Sequence, residues 1–124
     1  MRLLLDTNVL LWWARGERLS SSASTAIAAS ENQVFVSAVT IWEAELKAAS
    51  GKLRLARNLA DAVESHGFIA LPITFAHAAR VAQLPPHHRD PFDRMLLAQA
   101  TVEDLTLVTR DAALDVYDVP LIAA

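Results

Sequence analysis

The stretch Arg2-Leu-Leu-Leu-Asp6-Thr-Asn-Val-Leu-Leu-Trp-Trp-Ala14 decides the fold class. Its three leucines are too few for a helix and read as a short buried strand, Arg2 to Leu5. Asp6 closes that run. Thr7 to Ala14 then reads as a helix, and Gly16 marks its end. A strand that passes directly into a helix is the first half of a βαβ unit. The same alternation continues along the chain. Ser20-Ser-Ser22 caps a helix over Ala23 to Ala29, and Gln33 to Val36 is a strand. Ser37 caps a helix running to about Ser50, with Gly51 as its stop. Asn58 to His66 is a helix closed by Gly67, and Phe68 to Leu71 is a strand ending at Pro72.

Thr74 caps a further helix to about Leu84. The paired prolines of Pro85-Pro86-His-His-Arg89 enforce a loop. Asp90-Pro91 then opens a helix in cap-then-proline order, reaching about Glu103. Leu105 to Val108 is a strand, Asp111 to Val116 a short helix, and Pro120 to Ile122 an edge strand. This pattern predicts an α/β fold with a mostly parallel sheet, built as one domain over residues 1–124.

Bulk properties narrow the function. A chain of 124 residues with 53% hydrophobic and 20% charged residues can bury an ordered core. Without cysteine it has neither disulfides nor thiolate metal sites. The start, Met-Arg-Leu-Leu-Leu, resembles a signal peptide until Asp6 interrupts it, and Val9 to Trp13 is too short to span a bilayer. The expectation is a soluble, cytoplasmic protein. A net charge of −3 argues against binding nucleic acid by bulk positive charge. The mean hydropathy of +0.27 leaves apolar surface for a partner, a second copy or a binding protein.

Four separated acids carry the chemistry. Asp6 and Asp111 come directly after predicted strands, at the end of a parallel sheet where ligands bind. Asp93 lies in the first turn of a helix, and Glu43 must reach in from a helix side. Gathered together, such carboxylates repel and call for a cation, and hard oxygen ligands select Mg²⁺ or Mn²⁺. A divalent ion on an acidic cluster suits phosphodiester cleavage.

Each acid also has a plain structural explanation. Asp6 and Asp111 can cap the helices immediately after them, Asp90 and Asp93 form a cap-like pair, and Glu43 stands one turn before Lys47. Ser37, Thr40, Glu43 and Lys47 form a polar stripe that fits a cleft or an exposed face equally well. Spacing alone leaves both readings standing. His87-His88 offers metal-binding nitrogens with no third ligand suggested by spacing. His66 and His77 read as packing or surface residues. Trp12, Trp13 and Trp42 read as core or interface residues.

The blocks Leu3 to Trp13, Ser37 to Lys47 with Gly51-Lys-Leu53, His88 to Gln99 and Leu107 to Asp111 together resemble the PIN-domain family. They are most similar to VapC-type toxins of bacterial type II toxin-antitoxin pairs, and the match keeps order and spacing over nearly the whole chain. The resemblance implies a three-layer sandwich and a metal-dependent ribonuclease using Mg²⁺ or Mn²⁺. Its acidic quartet falls on Asp6, Glu43, Asp93 and Asp111, all expected as catalytic and metal-binding residues, with Asp90 as a helix cap. Thr7, Asn8 and Thr109 match small polar positions expected to orient carboxylates or water. Lys47, Arg89, Arg94 and Arg110 lie near the acids in sequence and are candidate RNA contacts. The implied partners are RNA, a cognate antitoxin and a second copy of the chain. Two other readings use the same acids: a silent module that grips RNA or its partner, and an aspartyl-phosphate enzyme. The complete quartet counts against the first. Asn8, where haloacid-dehalogenase-type phosphatases carry a second Asp, counts against the other.

Overall fold

The computed structural model describes residues 1–55 and 58–124. Five strands, β1 (Arg2–Leu5), β2 (Gln33–Ser37), β3 (Ile69–Leu71), β4 (Thr106–Thr109) and β5 (Leu121–Ala123), form one sheet in the order β3-β2-β1-β4-β5. All four pairings are parallel, with Leu4 facing Phe35 on one side and Leu107 on the other. Parallel neighbours demand crossover connections. Helices α1 (Thr7–Ala14) and α2 (Ser21–Ala28) make the first, α3 (Ala38–Ala49) and α4 (Leu59–Ser65) the second. The third is made by α5 (Phe75–Val81) and α6 (Pro91–Glu103), whereas a 3₁₀ turn, Ala112–Val116, links β4 to β5.

Side chains alternate across each strand, so the two sheet faces carry separate cores. Leu3, Leu5, Val34, Val36 and Val108 pack with Val9, Leu10, Ile27 and Val63 from α1, α2 and α4. Leu4 and Leu107 point the other way, onto Leu96, Leu97 and Ala100 of α6 and onto Leu114. The result is the expected helix–sheet–helix sandwich. Trp12 and Trp13 pack at the rim of the first core, but Trp42 is 57% exposed and meets Phe92 edge-on at 5.1 Å.

Several element bounds shift by one to three residues from the sequence reading, two of them for a visible reason. Helix α5 stops at Val81 rather than near Leu84, because the Arg94 guanidinium takes the carbonyls of Val81 and Leu84. The last strand begins at Leu121, since Pro120 contributes only a carbonyl, which accepts from Leu107 N–H. His77 is buried rather than superficial. Its Nδ1 accepts the Thr74 amide in a capping box while Nε2 meets Glu103 at 3.0 Å.

From β1 the chain steps outward to β2 and β3, then returns to lay β4 against the other side of β1. The strand order therefore reverses between β1 and β4. Helices leaving in opposite directions open a crevice at the strand C-termini there. Asp6 and Asp111 lie at that crevice.

Candidate active site

Asp6 ends the β1 segment and caps α1, its Oδ1 accepting the Val9 amide at 2.8 Å. Its Oδ2 accepts the Thr109 hydroxyl at 2.5 Å, and Asp111 N–H donates to that hydroxyl oxygen at 3.1 Å. Thr109 thereby ties the ends of β1 and β4 together. Asp111 Oδ1 accepts Ala113 N–H at 3.0 Å and caps the 3₁₀ turn. Asp90 caps α6 by accepting the amides of Phe92 at 2.8 Å and Asp93 at 3.4 Å. The structural roles expected for these acids are all present, and the functional arrangement is built on them.

Helix α3 runs from Ser37, and its polar stripe faces inward: Ser37, Thr40 and Glu43 are buried. Glu43 Oε1 accepts the Thr7 hydroxyl at 2.6 Å, and Lys47 Nζ stands 2.8 Å from Oε2. The pair has ordinary helical spacing, but the burial of Glu43 takes it out of the class of solvated surface pairs. Both oxygens of Glu43 are thus bonded within the protein. The hydrogen bond to Glu43 raises the Lys47 pKa above its ordinary value against partial burial, with the charges of Glu43, Asp90 and Asp93 adding to the effect.

Burial pushes the Asp6 carboxyl up from its ordinary value; the Thr109 and Val9 hydrogen bonds pull it back, and the charges of Glu43 and Asp111 add to the rise. Burial, then the charge of Asp90, lifts Asp93 to about 6, with Asp6 and Glu43 contributing further and His88 opposing. The acids from β1, α3, α6 and the end of β4 therefore feel one another across the crevice. Oxygen-rich, mutually repelling and short of compensating charge, they fit a hard divalent cation.

His88 completes the group, with Nε2 3.4 Å from Asp93 Oδ2 and 3.4 Å from Asp111 Oδ2. Sequence spacing does not reveal it, because the two acids beside it come from different elements. The signals in the sequence are the His87-His88 pair itself and its place at the start of the His88-to-Gln99 block.

The other expected residues divide. Thr7 and Thr109 donate hydrogen bonds to Glu43 and Asp6, whereas Asn8 is exposed and makes no hydrogen bond to the acids among the described residues. Lys47 faces the cluster, and Arg89 is exposed nearby in the chain. Arg94 and Arg110 are engaged elsewhere. Arg94 donates to the carbonyls of Val81, Leu84, Pro85 and His88, so its guanidinium clamps the loop before α6. Arg110 lies 3.9 Å above the Trp12 ring and donates to the carbonyls of Arg18 and Ala124. Adjacency in sequence misleads for both, since their side chains reach backbone acceptors on other elements.

Residues 3–120 match the PIN domain family profile, and the chain belongs to that family. Within it, the chain is 34% identical over 120 residues to Ribonuclease VapC22 of Mycobacterium tuberculosis, covering 90% of this chain and 88% of the relative. The fold is that of the solved VapBC2 from Rickettsia felis bound to a fragment of promoter DNA (TM-score 0.77, 14% identity, 100% of this chain and 99% of that one). A toxin-antitoxin complex from Klebsiella pneumoniae is similar at a TM-score of 0.68 and 22% identity, over 98% and 96% of the two chains.

Proposed function

We propose that this protein is a VapC-type endoribonuclease, the toxin of a type II toxin-antitoxin pair, cutting RNA with a Mg²⁺-activated water. The carrying observation is that Asp6, Glu43, Asp93 and Asp111, scattered over 105 positions of sequence (111 − 6), influence one another's charge at the switch point of a parallel sheet. The 34% identity to a named ribonuclease supports the choice of RNA as substrate. A bound Mg²⁺ or Mn²⁺ would supply a lowered pKa for a coordinated water and charge to offset that developing on the phosphate.

Asp6 and Asp93 would hold the ion directly, its charge offsetting the burial and the lesser mutual repulsion that raise both carboxyls. Asp111, beside Asp93 on the same His88 nitrogen, would complete the site. Glu43, with both oxygens already bonded, acts through water and by holding the Lys47 ammonium over the cluster. Lys47 and Arg89 are the cations available to phosphate oxygens, and Thr109 fixes Asp6 in one rotamer. Cleavage by water leaves a 5′-phosphate and a 3′-hydroxyl.

The partners are a cognate antitoxin, supported by the similar toxin-antitoxin complex, and a second copy of the chain. A groove lined by Val36, Ile41, Val63, Phe68 and Leu71, with Glu64 its one charged residue and none of the four site acids, suits an apolar partner segment. Among the described residues no helix is long and apolar enough to cross a membrane, and we take the site of action as the cytoplasm. The test is incubation of purified protein with RNA in Mg²⁺ or in chelator. Metal-dependent fragments with 5′-phosphate ends, suppressed by the antitoxin, are expected. RNA bound but left intact in Mg²⁺ and Mn²⁺ would favour the silent binding module.

A further inference from the structure

The segment from Pro85 to Asp90 is pinned with more care than a connector needs. Arg94 donates to the Pro85 and His88 carbonyls at 2.9 and 3.3 Å, and to those of Val81 and Leu84 at 3.1 and 3.2 Å. The buried Tyr117 hydroxyl donates to Pro85 O at 3.0 Å and accepts His88 N–H at 2.8 Å. Both the amide and the carbonyl of His88 are therefore tied down.

The ring is fixed as well. Asp90 N–H donates to His88 Nδ1 at 3.1 Å. An amide only donates, so Nδ1 is the acceptor and the ring proton resides on Nε2. Nε2 lies 3.4 Å from both Asp93 Oδ2 and Asp111 Oδ2. By proximity alone, His88, Asp93 and Asp111 form a three-ligand metal group. The tautomer argues against it. A ligating Nε2 must surrender its proton to Nδ1, where it would collide with the Asp90 amide.

We propose that His88 is a positioning residue: its Nε2–H, held by the Arg94–Tyr117 clamp, sets the separation of Asp93 and Asp111 for cation binding without ligating the ion. The inference rests on the proposed metal site. Asp93 comes from α6 and Asp111 from the turn after β4, so no local backbone fixes their distance. A ring nitrogen 3.4 Å from both carboxylates supplies that link, in the way outer groups orient metal-binding carboxylates.

The test is calorimetric titration of Mg²⁺ and Mn²⁺ into wild type, His88→Ala, His88→Gln and Asp6→Asn, with thermal melts in chelator to establish folding. For His88→Ala, affinity is expected to fall roughly 10- to 100-fold, and by a similar factor for both ions. His88→Gln, whose amide also donates, recovers part of the loss. A selective loss of Mn²⁺, the ion better suited to imidazole, would make His88 a ligand and overturn the proposal. Unchanged or tighter Mg²⁺ binding in His88→Ala would also overturn it, the latter making His88 a competitor of the ion. Equal Mg²⁺ binding by wild type and Asp6→Asn would instead overturn the metal site itself, and the inference with it. Loss in Asp6→Asn alongside no change in His88→Ala sinks the inference alone.

Discussion

Asp93 is the residue at which folding and the proposed function oppose each other. Its carboxyl is lifted from 3.8 to about 6, chiefly by burial and then by Asp90. Between those values the folded chain binds a proton that the unfolded chain releases. Metal-free stability therefore rises as pH falls from about 6 toward 3.8, and the ionised group destabilises the fold above that window. The shift corresponds to at most about 3 kcal/mol. Asp93→Asn should stabilise the metal-free protein by up to that amount at pH 8 and by nearly nothing at pH 4, measured by urea unfolding in chelator. A pH-independent difference would contradict the assignment. In the native protein at limiting Mg²⁺, cleavage should fall as pH drops through about 6, and excess Mg²⁺ should move the midpoint lower because ion and proton compete for one carboxylate. The place of this residue beside the other acids was legible from the His88-to-Gln99 block. Its perturbed charge was not, because desolvation depends on packing that one residue's neighbours in sequence do not define.

At the level of elements, one set of residues both starts helices and builds the site. Asp6, Asp90 and Asp111 cap α1, α6 and the 3₁₀ turn, so the capping signals that located element boundaries also located the crevice. Asp90 is separable from its neighbours. Asp90→Ser keeps a capping oxygen and removes a charge that raises Asp93. It should leave stability within about 1 kcal/mol, preserve cleavage, and lower the acid midpoint of the pH–rate profile. Loss of cleavage as complete as in Asp93→Asn, in a folded protein, would instead put Asp90 among the reacting groups. Elements were readable because strands of three to five residues alternate with capped helices. The inward turn of the Ser37–Lys47 stripe was not readable, since an amphipathic pattern does not say which face meets the sheet end. Nor was the clamp by Arg94, whose acceptors are carbonyls on another helix and a loop.

On the scale of the whole molecule, large apolar side chains remain exposed. Trp42, Leu46, Ile73 and Phe75 are exposed, Phe75 almost completely at 96%. Surface of this kind favours association. Sedimentation at micromolar concentration should give a dimer, and a monomer would leave that surface to the antitoxin. The sheet order, read only as α/β from the sequence, is what brings β1 and β4 side by side and converts four distant acids into one site. Cleavage of RNA by Asp6→Asn and Asp93→Asn, each compared with wild type in Mg²⁺ at matched folded fraction, tests that claim most directly. Both substitutions should abolish cleavage while the proteins melt at or above the wild-type temperature in chelator. Full cleavage by either variant would contradict the claim.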